Sequence, residues 1–215
     1  MIDVQTNSIT ADFKYIPIDD LYAYFPFDWD LLDHKNDLWA SGSPLSMSTY
    51  WTVSFTSWKV WQAGVFNNSW LHWTWIRTWS VSIMFRAYRT WSVDNSYQWL
   101  VIDHGYMWLF ARSNVDKITE YNWWTGQWTW IVQMQYNQRY FCAIVGNWSQ
   151  CYVFINWTKY WPYWMWTSSS SGDNWLRIWM WTATWQKFTW YIDEVLVYKR
   201  MLTDEEVIKY YNKTK

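Results

Sequence analysis

Hydrophobic and polar residues alternate along most of the chain in short runs, separated by clusters of Ser, Asn, Asp and Thr. In the run from 80 to 88, the apolar residues Val81, Ile83, Phe85 and Ala87 occupy every second position. A period of two is typical of a half-buried antiparallel strand. Many such runs between turn clusters predict an all-β fold built from two antiparallel sheets.

The periodic pattern begins near Leu21. Residues 1–20 carry no strong period and are predicted to be an N-terminal lead-in, with Ile16 to Leu21 as a candidate edge strand. Residues 21–215 are predicted to form one domain, because a chain of this size can bury about 70% of its unfolded surface in a single core.

A β-hairpin is predicted between Tyr140 and Asn156, with Gly146-Asn147 as its two-residue loop. This register places Cys142 opposite Cys151 in a non-hydrogen-bonded pair, whose Cα atoms lie about 4.5 Å apart. That separation is at the short limit of disulfide geometry. Two interpretations therefore stay open at this point, a disulfide or two reduced thiols on a buried face.

A capping box marks the start of one helix. In Thr203-Asp-Glu-Glu206, the Thr hydroxyl can accept from the N–H of Glu206 while the Glu carboxylate reaches back, and the acidic first turn suits the helix dipole. A short helix is predicted from about Asp204 to Tyr211. Its packing side is predicted to carry Val207, Tyr210 and Tyr211.

The end of the chain, YIDEVLVYKRMLTDEEVIKYYN at residues 191–212, resembles the closing motif of the laminin-G-like and pentraxin-like family. Residues 24–28 (YFPFD) are similar to its opening strand and turn, residues 59–66 to a Lys-Val-Gly-Gln-Ala-x-x-Phe segment, and residues 153–158 to a Tyr-Ile-Asn-Gly-Thr hairpin. The resemblance implies a concanavalin A-like jelly-roll sandwich with a short C-terminal helix, in which the first and last strands are neighbours.

Tryptophan is unusually frequent, with 26 residues against 6 Gly. At Trp29, Trp61, Trp157, Trp179 and Trp190 the family has Gly, in turns and bulges that favour positive φ or close backbone approach. A bulky residue in the left-handed region costs roughly 1–2 kcal/mol. We hypothesise that most of these Trp stand where the natural protein has Gly, for instance because UGA codons that mean Gly in the source are read as Trp. Intact mass of the natural protein tests this hypothesis.

Charge excludes some partners. Lys and Arg total 17, Asp and Glu total 18, and no block of like charge occurs, so nucleic acid and anionic membranes are poor candidates. No apolar run reaches the roughly 18 residues of a membrane span, and the first twenty residues lack a signal-peptide pattern. By resemblance we expect an extracellular or surface-exposed domain, on a cell or a virion.

Oxygen-rich loops and nearby aromatic residues are the candidate ligand site. Such loops can hold Ca²⁺, which takes six to eight oxygen ligands. The resemblance implies that Asp28 and Asp193 lie near one another, where they share a cation or make turn hydrogen bonds. The candidate ligand-binding residues are Asp94, Asn95, Tyr97, Tyr163, Asp173 and Asn174.

No catalytic constellation is recognisable. The Glu-x-Asp-x-x-Glu strand of β-glucanases with this fold does not occur. Asp193 and Glu194 are adjacent, so we expect them to point to opposite faces, where they cannot act as a pair. We therefore expect a non-catalytic module that recognises glycan or another surface polymer. The alternatives are a structural or assembly domain of a virion tail fibre or cell-surface appendage, contacting protein, and, third, a polysaccharide hydrolase.

Overall fold

The structure is a computed structural model, and it describes part of the chain. The described residues are 16–27, 32–38, 47–49, 54–58, 61–67, 71–73, 80–89, 101–104, 107–112, 117–122, 127–133, 135, 137–147, 150–163, 176–179 and 189–214. Side chains are described at 16–27, 32–36, 54, 80–88, 135, 137–147, 150–160 and 191–214.

The described residues form fifteen strands, one 3-10 helix and one α-helix. In chain order they are β1 (Leu21–Phe25), the 3-10 helix (Lys35–Leu38), β2 (Met47–Thr49), β3 (Ser54–Trp58), β4 (Trp61–Asn67), β5 (Leu71–Trp73), β6 (Ser80–Arg89), β7 (Val101–His104), β8 (Met107–Arg112), β9 (Lys117–Asn122), β10 (Gln127–Gln133), β11 (Arg139–Asn147), β12 (Cys151–Ile155), β13 (Thr158–Tyr163), β14 (Leu176–Trp179), β15 (Thr189–Tyr198) and α1 (Asp204–Thr214).

The strands form two antiparallel sheets, as the alternating pattern predicts. The eight-stranded sheet runs β13-β12-β11-β6-β15-β4-β3, with β1 also paired to β15, and the seven-stranded sheet runs β10-β9-β8-β7-β14-β5-β2. Strand β15 lies in the centre, between β6 on one side and β4 and then β1 on the other. The fold is the all-β antiparallel jelly-roll sandwich with a C-terminal helix, and its first and last strands are neighbours.

The predicted edge strand from Ile16 to Leu21 is wrong. Residues 16–20 form a bend and a turn, in which Asp20 has a positive φ of 59°, and the strand begins only at Leu21. Ile16 is nevertheless buried in the hydrophobic cluster that packs under α1.

Strand β6 is buried on both faces, not half-buried as its alternation predicts. Residues 81–87 are all buried. The polar position Ser82 is tolerated because its hydroxyl donates to the carbonyl of Arg200 (2.7 Å) and accepts from the N–H of Leu202 (2.9 Å). Helix α1 covers this second face, where Met84, Phe141, Phe154, Leu196, Val207 and Tyr210 belong to one cluster.

The hairpin of β11 and β12 exists, but its register differs from the prediction. The loop lies between Asn147 and Gln150, because the Asn147 side-chain Oδ1 accepts from the N–H of Gln150 (3.1 Å) and the Asn147 N–H donates back (2.9 Å). Cys142 therefore lies opposite Ile155, and Cys151 lies opposite Gly146.

The two cysteines are not disulfide-bonded. Four residues along β12 separate Cys151 from the position opposite Cys142, which is about 13 Å and beyond the reach of a disulfide. Both thiols are buried on the same face, and burial raises the pKa of Cys142 far above its ordinary value. The disulfide interpretation is thus wrong, and that of two buried thiols is correct.

Helix α1 begins with the predicted capping box. The N–H of Glu206 donates to the Thr203 hydroxyl (3.2 Å), and the N–H of Thr203 donates to the Glu206 carboxylate (2.8 Å). The helix continues to Thr214, three residues beyond the predicted end. It runs farther because Arg86 Nη2 donates to the Thr214 carbonyl, so a buried guanidinium satisfies a carbonyl of the last turn.

One tryptophan side chain lies within the part of the chain whose side chains are described, that of Trp157. Trp157, whose side chain is described, is 64% exposed. The positive φ of its turn falls on Asn156 (55°), and Trp179 and Trp190 lie within strands β14 and β15 without positive φ. At these three positions the expectation is therefore reduced to its second form, close backbone approach, which stays a prediction.

Candidate functional site

A compact charged cluster lies beneath the last turn of α1. It contains two arginines, Arg86 on β6 and Arg139 on β11, and two acids, Asp193 and Glu194 on β15. Arg86, Asp193 and Glu194 are buried, each at most 8% exposed.

A β-bulge brings both acids to one face of the sheet. The pairing of β15 with β6 shifts between Asp193 and Leu196, and Glu194 takes a positive φ of 51°. Asp193 lies opposite Arg86 in the strand pair, so the two side chains share a face. Glu194 reaches the same arginine. The expectation that the adjacent acids point to opposite faces is wrong, because it assumed a regular strand.

Glu194 is held from two sides. Its Oε2 lies 2.8 Å from Arg86 Nε and accepts from the Tyr210 hydroxyl at 3.1 Å. The backbone N–H of Glu194 points to the carbonyl of Pro26 at 3.5 Å, so the bulge lies beside the end of β1. This arrangement links the central strands of the sheet to α1.

In this cluster the two positive charges of the arginines lie close to the two negative charges of the acids. Burial and then the like charge of Arg86 lower the pKa of Arg139, while Asp193 and Glu194 oppose that change. Burial and then the Glu194 charge raise the pKa of Tyr210 well above its ordinary value. Two carboxylates facing two guanidinium groups are suited to holding structure, whereas a catalytic acid needs a raised carboxyl pKa and access to substrate.

Most of the predicted ligand residues lie outside the described residues. These are Asp94, Asn95, Tyr97, Asp173, Asn174 and, for the cation, Asp28. The backbone of Tyr163 lies at the end of β13, opposite Cys151. Asp193 is described and lies opposite Arg86. Among the described residues, no three His, Cys, Asp or Glu side chains form a group able to hold a metal ion, so the Ca²⁺ site stays a prediction.

One surface corner joins the β12–β13 hairpin to α1. Lys159 Nζ lies 2.7 Å from the Asp204 carboxylate and 4.0 Å from the centre of the Tyr152 ring. The exposed Trp157 ring packs 5.9 Å from Tyr211. The lysine is thus already paired with an acid and a ring, and the corner mainly fastens the helix to the sheet.

A second feature brings two lysines to one ring. The Tyr22 ring has two lysine ammonium groups near its centre, Lys199 Nζ at 3.6 Å and Lys35 Nζ at 5.5 Å. Sequence reasoning missed these residues, because they lie far apart in the chain and belong to no motif. The one usable signal was the expected pairing of the first and last strands, which places Tyr22 beside the residue after β15.

Comparisons with known proteins identify the fold. No family model and no curated protein matches the chain. Solved structures of botulinum neurotoxin binding domains do match, at 11–14% identity. One, from a study describing cell entry of type C toxin as dependent on two ganglioside molecules, has a TM-score of 0.69. The type DC binding domain matches with TM-scores of 0.70 in complex with rat synaptotagmin II and 0.69 in complex with SialylT.

These matches cover 92% of this chain and 52% of each of those three chains, so the chain spans about half the length of the structures it resembles. At this identity the likeness shows the jelly-roll fold. Within the described part of the chain, no helix is long and apolar enough to cross a membrane.

Proposed function

We propose that the protein is a non-catalytic recognition module that binds glycan. The observation that carries the proposal is the fold match over 92% of the chain to toxin domains described as receptor-binding domains. One of those neighbours is described with two gangliosides and another with SialylT, which supports a glycan as the ligand class.

The two acids of the charged cluster under α1 are not suited to hydrolysis. Retaining glycosidases need two carboxyl groups about 5 Å apart that both reach the substrate. Here Glu194 is occupied by Arg86 and Tyr210, and α1 covers the face on which it lies. The adjacent acids therefore serve the fold.

We also propose where the module acts. Residues 21–215 act as one domain outside the cell or on a virion surface, where the domain contacts glycans and other surface polymers. The segments 94–97 and 173–174, which the sequence predicts to be loops, are the proposed source of oxygen and aromatic contacts, with Ca²⁺ as the candidate ion.

A glycan array tests the proposal directly. The natural protein is applied to neutral and acidic glycans with Ca²⁺ and again with a chelator, and hits are measured by calorimetry. We expect a defined set of glycans to bind. Loss of binding with the chelator would support Ca²⁺ in the loops.

The competing role is assembly with protein, which the synaptotagmin II complex of one neighbour supports. Absence of binding to every glycan, together with a stable homo-oligomer in light scattering, would replace the glycan proposal with an assembly domain. Turnover of a polysaccharide would replace both with a hydrolase.

A further inference from the structure

One end of the sheet face that α1 covers is exposed beyond the helix. Arg86 contacts the Thr214 carbonyl at the end of α1, and Tyr88 lies two residues farther along β6 on the same face, about 7 Å away. Tyr88 and its pairing partner Tyr191 on β15 are half-buried. The row of paired residues continues across β4 to the exposed Ser54 on β3, so the face is exposed at this end.

The two tyrosines form one unit on this face. Their rings are stacked, with centroids 5.6 Å apart and planes 7° apart. Burial and then the neighbouring Tyr191 raise the pKa of Tyr88, so its hydroxyl stays protonated at neutral pH and can donate a hydrogen bond. A tyrosine pair combines an apolar body with hydroxyl groups at its edge. This combination suits a ligand that carries both C–H groups and many hydroxyl groups.

An exposed amide lies beside the tyrosines. Asn137 is exposed, and its Oδ1 accepts from the Tyr88 hydroxyl at 3.4 Å. Within the part of the chain that the structure describes, the Asn137 amide nitrogen has no hydrogen-bond partner, so its two N–H groups are available to a ligand. Asn137 takes a positive φ of 56°, which Asn adopts more readily than most residues.

The loop that carries Asn137 is fixed by a buried side chain. The hydroxyl of Tyr140 accepts from the N–H of Gln135 (2.6 Å) and donates to Gln138 Oε1 (3.0 Å). Both flanks of Asn137 are therefore bound to one residue of β11. A ligand that binds Asn137 does not have to order this loop, and such pre-organisation reduces the cost of binding.

The charge beside the tyrosines is balanced. Arg139 lies opposite Tyr88 on β11. The charges of Asp193 and Glu194 oppose the lowering of the pKa of this arginine, so both acids act on its guanidinium. An acidic ligand would gain little from a positive charge that carboxylates already compensate. The surroundings therefore favour a neutral ligand.

From this geometry we infer that Tyr88, Tyr191 and Asn137 form a binding site for a neutral pyranose sugar. The Asn137 amide donates to sugar hydroxyls, the Tyr88 hydroxyl accepts from a further one, and the C–H groups of the sugar pack against the tyrosine pair. The inference rests on the proposed glycan-binding function, and it names the site and the ligand class. This site uses none of the residues in the segments 94–97 and 173–174.

Sugar titrations followed by NMR test the site. The methyl glycosides of glucose, galactose and mannose, and any glycan that binds on the array, are added to isotope-labelled protein. The variants are Asn137→Gly and Tyr88→Phe. Glycine suits the positive φ at position 137, so Asn137→Gly removes the amide without straining the loop. Tyr152→Phe is the matched control, because Tyr152 packs under α1 and its hydroxyl also contacts an amide, that of Gln150 (3.1 Å).

We expect at least one neutral sugar to shift the side-chain amide signal of Asn137 in a saturable way. Loss of two neutral hydrogen bonds in Asn137→Gly should weaken binding about 5- to 30-fold, and loss of one in Tyr88→Phe about 2- to 10-fold. Tyr152→Phe should bind as the parent protein does. A deoxy sugar that lacks the contacted hydroxyl should bind Asn137→Gly and the parent protein equally, because the interaction is then already absent.

Failure of the site differs from failure of the glycan function. If glycans bind and neither Asn137→Gly nor Tyr88→Phe weakens them, the site is wrong and glycan recognition stands. Tighter binding of sialyllactose than of lactose would overturn the neutral ligand class. If neither the array glycans nor the methyl glycosides bind, the site and the glycan function are both wrong. If Tyr88→Phe does not fold, the Asn137→Gly result decides.

Discussion

The hydroxyl groups of Tyr210 and Tyr198 provide a matched pair of perturbations on the same buried face. Both rings are almost fully buried. The Tyr210 hydroxyl donates to the Glu194 carboxylate at 3.1 Å, whereas the Tyr198 hydroxyl is enclosed and has no hydrogen-bond partner among the described residues. Substitution by Phe removes one oxygen atom from each without changing the shape of the ring.

The expected effects differ in sign. A hydrogen bond to a charged group is worth about 1.5–3 kcal/mol, so Tyr210→Phe should lower the free energy of unfolding by that amount. For a domain of 150–250 residues this corresponds to a fall in Tm of roughly 3–12 °C. Tyr198→Phe removes a buried polar group that lacks a partner, so its stability should be unchanged or about 1 kcal/mol higher.

Urea unfolding followed by far-UV circular dichroism measures both variants under the same conditions. Equal slopes of the free energy against urea for the variants and the parent protein would show that the transition itself is unchanged. A Tyr198→Phe variant as destabilised as Tyr210→Phe would refute the reasoning, because the two hydroxyls would then be equally well satisfied.

Three further predictions follow from buried or charged groups. Glu194→Gln weakens the compensation of the buried Arg86 charge and should cost up to about 3–5 kcal/mol of unfolding free energy in urea titrations; an unchanged midpoint would contradict the ion pair. A hydrogen bond from Arg200 holds the pKa of Glu206 below its ordinary value of 4.5, so its contribution is present above pH 4.5 and lost as pH falls through the lowered pKa. Acid unfolding of Glu206→Gln should therefore be less steep in this range, and the cap itself is worth about 1 kcal/mol at neutral pH. Because both cysteines are buried, and burial raises the pKa of Cys142, both thiols should resist a thiol reagent in the native protein and react together on unfolding; a failure to react in denaturant would reveal a disulfide.

The sequence predicted best those elements that are formed by residues close together in the chain. The capping box can be recognised from the four residues Thr203 to Glu206 alone, because each of the two side chains accepts a hydrogen bond from the backbone N–H of the other residue. Alternation identified β6 and the hairpin. The hairpin loop was misplaced because Gly146-Asn147 is a favourable turn pair, while the structure uses the Asn147 side chain to bind Gln150. Shifting the loop by two residues keeps every side chain on its predicted face, so the pattern alone could not detect the error.

The missed features depend on contacts between distant segments. No local rule places a bulge at Glu194, because positive φ is uncommon for Glu, and the bulge is stabilised by Arg86 and Tyr210. Similarly, β6 looked half-buried because Ser82 and Arg86 are polar, yet both find partners in the C-terminal segment. The lysines at Tyr22 meet only after the first and last strands pair.

The central position of β15 has a consequence for how the protein is made. Its neighbours β1, β4 and β6 are all synthesised long before it. Each of these strands therefore has an unpaired hydrogen-bonding edge until β15, which ends at residue 198, has left the ribosome. Pairings this far apart in sequence fold on the slow millisecond-to-second scale, and exposed strand edges invite association with other chains. Slower translation near the end of the message, or a chaperone that shields β6 and β1 until β15 arrives, should therefore raise the yield of folded protein.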